Sequence, residues 1–317
     1  MKKALPIVVI VLIIIGFWLF EGDFDAAEVD REYTSPSSQF LVLEDGGRIH
    51  YRDEGNPSGV PVVLIHGSNA SLHTWSAWVD ELGDTYRIVS LDLPGHGLTG
   101  KTPAHDYSSR TFVNTVDALV SHLGINQFVL GGNSMGGGVT WRYTLEYPEK
   151  VLGMVLVNAS GLRSWYSESD DTDRETPLAF RLLRQEWFQG VARYIDPYPL
   201  VKQGLRASHF DPTLVTDERV NRYYDLSMRA GTRDATLKRF SQPRTALHDE
   251  ADLASIVQPT LIMWGKEDNV ISVNVGERFA NSIAHAVFVV YADIGHIPME
   301  ETPAQSASDV RKFLQQF

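Results

Sequence analysis

The sequence predicts an α/β fold: a mostly parallel sheet with helices on both faces, a helical insertion over one end of it, and an N-terminal transmembrane helix. Three observations lead there. Short apolar runs alternate with segments of helical period along most of the chain. The alternation stops once, over residues 161–248, a gap too long for a bare loop. The chain also opens on an uncharged apolar run behind two lysines. Of its 317 residues 43% are hydrophobic and 21% charged, a composition that folds rather than stays disordered.

The opening, "MKKALPIVVIVLIIIGFWLFEGD", is uncharged from Ala4 to Phe20. That length of helix spans roughly 26 Å, a little short of a hydrocarbon core, but flanking residues and bilayer thinning accommodate such a deficit. A buried core helix would show a polar face, and this run has none. A cleaved signal would need a small-x-small site, whereas "DAAE" places Asp25 where a small residue belongs. Residues 1–20 are therefore expected to be an uncleaved membrane anchor. Lys2 and Lys3 would keep the N-terminus cytoplasmic, leaving the remainder outside, on the periplasmic face of the inner membrane in a bacterium.

Residues 21–38 are acidic and aperiodic and read as a linker. A core is expected over 39–160 and 249–317. In it "FLVLED" and "RIHYRD" flank Gly46-Gly47, a hairpin signal. "VPVVLIHG" is a wholly apolar strand, as in a parallel strand buried on both faces. "TWSAWVDEL" is helical, "RIVSLDLPG" a strand, and "SSRTFVNTVDALVSHLG" a helix ending at Gly124. "FVLGG" is a strand, "SMGGGVTWRYTLEYP" a helix stopped near Pro148, and "VLGMVLVNAS" a strand. After the gap come the strand "PTLIMWG", a helix from Val273 to Ala280 capped by Ser272, the strand "AVFVVYAD" and a helix from Pro303 to Phe317. The insertion, 161–248, is rich in aromatics (Trp165, Tyr166, Phe180, Trp187, Phe188, Tyr194, Tyr198). Most of these should form its own core, with one or two left to shape a pocket.

Within "FVLGGNSMGGG" one hydroxyl, Ser134, stands where a strand must turn sharply into a helix. Side chains at positions 132 and 136 would collide there, so Gly132 and Gly136 are required. The turn lifts the Ser134 oxygen off the sheet and sets it at a helix N-terminus, where negative charge is favoured. A serine needs a base to be nucleophilic. Of ten histidines, His66 and His96 lie in glycine-bearing turns, and His296 lies in the loop after the last strand. Loops following parallel strands gather on one rim of the sheet, which puts His296 within reach of Ser134.

A base of this kind needs a carboxylate to fix its tautomer. Asp268, directly after "LIMWG", is the candidate. Asp92 is expected to brace the Pro94-Gly95 turn and Asp293 to hold the histidine loop. Asn158, an amide, cannot supply the acid. The order Ser…Asp…His is that of one known catalytic family. The oxyanion would be received by the backbone N–H groups of Ser68, in "HGSNAS", and Met135.

Taken together, "LIHGSNASLHTW", "LDLPGHGLTG", "GGNSMGGG", "LIMWGKEDNVIS" and "IGHIPMEETP" resemble the α/β-hydrolase superfamily from about residue 39 to the end. The resemblance implies Ser134 as nucleophile, Asp268 as acid, His296 as base, Ser68 and Met135 as oxyanion donors, the insertion as a cap domain, and no metal or cofactor. A serine at 134 separates the chain from dehalogenases and epoxide hydrolases of this fold, which place Asp there.

The leading functional expectation is a serine carboxylesterase acting on short- to medium-chain acyl esters. The runner-up is a carbon–carbon bond hydrolase of ring-fission dienone acids. That chemistry needs a cation for the substrate carboxylate, for which Arg163, Arg181, Arg184 and Arg193 are candidates. A noncatalytic binding protein on the same scaffold is a third reading, disfavoured by a full set of catalytic residues. The expected partners are a small-molecule ester and, through the anchor, a membrane. A net charge of -12 without a basic block argues against nucleic acid, and the absence of cysteine removes thiolate chemistry.

Overall fold

Every side chain of the run Val62–Ile65 is fully buried, and the sheet topology explains how. The computed structural model describes residues 20–166, 185–242 and 248–317. Its strands are β1 (Ser38–Val42), β2 (Arg48–Gly55), β3 (Pro61–Ile65), β4 (Arg87–Leu91), β5 (Phe128–Asn133), β6 (Val151–Val157), β7 (Thr260–Gly265) and β8 (Ala286–Tyr291). They form one sheet in the order β1-β2-β4-β3-β5-β6-β7-β8. The β1–β2 and β2–β4 pairs are antiparallel, and the remaining pairs are parallel.

Period-two alternation divides the apolar strands between two cores. Val63, Ile65, Leu130, Leu156 and Ile262 face one cluster, and Val62, Leu64, Val129, Val155 and Leu261 face the other. Helices α1 (Ala26–Tyr33), α2 (Ser76–Leu82), α3 (Ser109–His122) and α4 (Met135–Glu146) precede the insertion. The first core packs the sheet against α3 and α4; the second packs it against Trp78 and Leu82 of α2. The inserted segment contributes α5 (Glu186–Ala192), α6 (Tyr198–Ser208), α7 (Asp217–Met228), α8 (Thr232–Ser241) and, where the chain returns to the sheet, α9 (Glu250–Ala254). The chain ends with α10 (Val273–Ser282), α11 (Pro298–Glu301) and α12 (Pro303–Leu314). Ser272 caps α10, its hydroxyl accepting from the Asn274 N–H.

Two N-terminal expectations change. The transmembrane helix expected over residues 1–20 lies, apart from Phe20, outside the described residues. Among the described residues no helix is long and apolar enough to cross a membrane. The anchor, and the membrane-anchored location outside the cytoplasm that rested on it, are corrected accordingly. Phe20 itself pairs with Ile195 of the insertion, and its ring stacks on Tyr194, so the end of the apolar run is used in packing against protein.

The segment read as a linker carries α1, capped by Asp25 and packed through Val29 against Leu98 and Leu226. Its acids, which suggested solvation, are partners for arginines. Asp30 accepts from Arg48 at 2.7 Å and from Arg229 at 2.7 and 3.1 Å. Asp23 accepts from Arg233 at 2.6 Å. Partial burial alone would raise the Asp30 pKa, but the hydrogen bonds and charges of Arg229 and Arg48 outweigh it and hold the carboxyl below its usual value. A depressed carboxylate contributes stability at neutral pH that is lost as pH falls through its folded pKa. Asp30→Ala should cost about 1 kcal/mol in urea unfolding at pH 7, the pair being partly wet. The difference from wild type should shrink below the ordinary aspartate range; a constant difference down to pH 3 would refute this account.

Candidate active site

The elbow between β5 and α4 is built by exclusion. Ser134 has φ 52 and ψ -116, a conformation costing a non-glycine residue of order 1–2 kcal/mol. A Cβ added at Gly132 would lie 2.4 Å from the Gly136 carbonyl, and one at Gly136 would lie 2.2 Å from the Ile65 carbonyl oxygen. Neither position admits a side chain. The Ser134 hydroxyl makes no capping bond to α4 and no other hydrogen bond among the described residues. It lines a cavity of about 200 Å³ together with His296, Ser68 and Asn133. The Ser134 residue is 8% exposed, reached from this cavity rather than from the outer surface.

Across the cavity His296 follows β8, and Asp268 follows β7. His296 Nδ1 lies 2.7 Å from Asp268 Oδ2. Asp268 is fully buried, and its other oxygen accepts the N–H groups of Val270 and Ile271 at 2.7 and 3.0 Å. A carboxylate held this way orients the imidazole with its proton on Nδ1, leaving Nε2 as the basic nitrogen. Of the sequence candidates, then, His296 and Asp268 are hydrogen-bonded, and Ser134 shares the cavity with His296. Catalytic hydrogen bonds are often formed only once substrate is bound.

The remaining candidates take other positions. His66 Nε2 accepts the Leu93 N–H at 3.0 Å while Nδ1 donates to the Gly67 carbonyl, so the ring is neutral and buried beside the turn after β3. Burial pushes its pKa down. Asp92 braces the loops as expected: it accepts from the N–H groups of Leu72 and Leu98, each at 2.8 Å, and meets His50 Nδ1 at 2.6 Å. Asp293 does not hold the histidine loop. It is exposed, with φ 57, and Glu301 does that work by accepting the Gly295 N–H at 2.8 Å. Gly67 lies close behind the nucleophile, a Cβ there falling 3.2 Å from Ser134 Cβ.

Two asparagines carry more than the sequence disclosed. Asn158, with φ 44 at the end of β6, donates from Nδ2 to Asp268 Oδ2 at 2.7 Å, the same oxygen that meets His296. Asn133 Nδ2 donates to the carbonyls of Val157 and His296, both at 3.1 Å, tying the elbow to the His296 loop. The only signal for Asn158 was a polar residue ending an otherwise apolar strand.

The cavity wall is mainly apolar, from Phe188, Ile195, Leu200, Val201 and Leu205 of the insertion and Val270 of the core. Phe188 is thus an insertion aromatic that shapes the pocket; Phe180 lies outside the described residues. Arg233 also lines the cavity, but Asp23, the Ile195 carbonyl and the Glu21 carbonyl occupy its guanidinium. Of the four arginines expected to meet a carboxylate, Arg163 and Arg193 are exposed and do not line the cavity, and Arg181 and Arg184 lie outside the described residues.

The sequence profile of the alpha/beta hydrolase fold matches residues 60–303. The chain belongs to the α/β-hydrolase fold family. This hydrolase is 27% identical over 288 residues to a 2-hydroxymuconate semialdehyde hydrolase of Pseudomonas sp. (strain CF600), covering 88% of this chain and 95% of the relative. It is 24% identical over 290 residues to lipase 3 of Moraxella sp. (strain TA144), covering 90% and 87%. The crystal structure of a meta-cleavage product hydrolase from Pseudomonas fluorescens IP01 superposes with a TM-score of 0.75 at 26% identity, covering 88% of this chain and 97% of that one. By likeness alone, carbon–carbon bond hydrolysis stands ahead of the ester hydrolysis that the expected membrane anchor had placed first; the motifs fit either reaction.

Replacing Asn158 with Leu removes a buried donor to a charged oxygen, a bond worth roughly 1.5–3 kcal/mol. Hydrolytic kcat/KM should fall about tenfold or more, against little change for Asp293→Ala in the same assay.

Proposed function

We propose that the protein is a serine hydrolase in which Ser134 attacks a substrate carbonyl, His296 shuttles the proton, Asp268 holds the imidazole, and the Ser68 and Met135 N–H groups receive the oxyanion. The observation that carries this reading is the 2.7 Å contact between His296 Nδ1 and a fully buried Asp268, facing a cavity that also holds the strained Ser134. Ser134 Oγ transfers its proton to His296 Nε2 as it bonds to the carbonyl carbon. The tetrahedral intermediate collapses, the leaving group takes the proton from His296, and water then cleaves the acyl-enzyme by the same route. Oxyanion stabilisation of this type contributes on the order of 3 kcal/mol per donor. No step needs a metal or cofactor. We read the inserted helices as a cap that closes the substrate cavity.

For the bond cleaved, the chemistry of the cavity favours an ester. Its wall is apolar, and the arginine that lines it is already satisfied by Asp23. A short- to medium-chain acyl group suits such a wall, whereas the carboxylate of a dienone acid would find no uncommitted cation among the described lining residues. The second reading, carbon–carbon hydrolysis of ring-fission dienone acids, is favoured by the relatives that carry that activity at 26–28% identity. It requires a carboxylate site and a nucleophile acting on a vinylogous ketone rather than an ester.

One assay separates them. Purified enzyme should hydrolyse p-nitrophenyl butyrate with kcat/KM at least a hundredfold above that for a 2-hydroxy-6-oxo-dienoate, and Ser134→Ala should abolish turnover of both. The inverse preference would establish the carbon–carbon reading. Full activity in Ser134→Ala would dismiss both.

A further inference from the structure

Helix α8 of the insertion reaches the two loops that carry the proposed oxyanion donors. Arg239 Nη2 donates to Asn69 Oδ1 at 2.9 Å, and Arg239 Nη1 donates to Met135 Sδ at 3.4 Å. Asn69 is the residue after Ser68, in the turn after β3; Met135 is the residue after Ser134, the first residue of α4. A single guanidinium therefore joins the turn after β3 to the first residue of α4, whose relative position sets the distance between the two proposed donors.

The spanned turn needs support. Asn69 has φ 59, in the left-handed region, and the turn is closed by one long bond from the Ala70 N–H to the Gly67 carbonyl at 3.3 Å. The Ser68 hydroxyl is buried without a hydrogen-bond partner among the described residues, none of which it ties to the turn. The charge of Arg239 is also felt on this side of the sheet: after burial, it is the next cause pushing the His96 imidazole well below its ordinary pKa. A fixed cation beside the hole interacts more strongly with an oxyanion than with the neutral carbonyl that precedes it. Its benefit therefore falls on the transition state more than on substrate binding.

We propose that Arg239 is a positioning residue of the oxyanion hole: it fixes the Ser68–Asn69 turn against Met135 and holds positive charge on the side chains that adjoin the two donors. On this account the insertion completes the catalytic machinery as well as lining the cavity, and displacing α8 would disarm the hole while leaving the His296–Asp268 pair intact. The proposal rests on Ser134 as nucleophile with Ser68 and Met135 as donors.

The test uses the full chain with Arg239→Met, Arg239→Lys and Ser134→Ala. Three quantities are measured: steady-state hydrolysis of p-nitrophenyl butyrate, inhibition by butylboronic acid, which forms a tetrahedral anionic adduct on an active-site serine, and melting temperature. Loss of turnover and of boronate inhibition in Ser134→Ala secures the underlying reading; if that variant stays active, the reading itself fails, whatever Arg239 does. Arg239→Met should lower kcat about tenfold and weaken the boronate by a similar factor, with KM within twofold. Arg239→Lys, which keeps the charge but loses the two-point contact, should fall between. A merely structural arginine would lower the melting temperature or raise KM without separating boronate from substrate, and that pattern would overturn the proposal. Wild-type kcat and boronate affinity in either variant would overturn it equally, and Arg239→Lys suffices for this if Arg239→Met does not fold.

Discussion

The architecture of the site depends on one steric constraint, the turn at Ser134. The chain enters on β5, fully buried between β3 and β6, and leaves as α4 with only Ser134 between strand and helix. So abrupt a reversal brings Gly132 against Gly136, and Gly136 against the carbonyl end of β3. The absence of two side chains permits the approach, and the left-handed backbone of Ser134 results from it. The strain is held by bonds on both sides: the Ser134 N–H donates to the Val157 carbonyl at 3.0 Å, and the Ser160 N–H to the Ser134 carbonyl at 2.8 Å. Two strands, one helix and the loop after β6 thus over-determine the position of a single hydroxyl.

A further set of bonds joins the His296 loop to the insertion. The His296 N–H donates to the Ser208 carbonyl at the end of α6 at 2.7 Å. The two acids that follow, Glu300 and Glu301, extend the junction. Glu300, nearly buried, accepts from Tyr223 of α7 at 2.7 Å and pairs with Arg219 at 3.1 Å; Glu301 accepts the Phe210 N–H at 2.8 Å. Helices α6 and α7 are consequently fixed to the loop that carries His296, and any motion that lifted them would disturb it. The N-terminal helix adds a second seam through Asp30 and Asp23, whose partners Arg229 and Arg233 belong to the insertion.

Sequence reading succeeded where a residue type admits one physical role and failed where the role depends on a distant partner. The glycines around Ser134, the apolar strands and the order Ser…Asp…His are local or ordinal features, and the fold follows from them. Asp92 could be read as a loop brace because it stands beside the turn it braces. Asp293 was misread on the same logic: proximity to His296 suggested a role that Glu301, on the far side of the loop, performs instead. Residues 21–38 looked like a solvated linker because acids were counted without the arginines, some 200 positions later, that neutralise them.

By itself the sequence determined the parallel sheet and the family, because hydrophobic period and backbone sterics act over a few residues. Only the tertiary structure decided which asparagine supports Asp268, which cations are already spent, and which arginine reaches the side chains of Asn69 and Met135. Those are questions of pairing across 100 residues or more, and charge pairs according to distance in space, which chain position does not record.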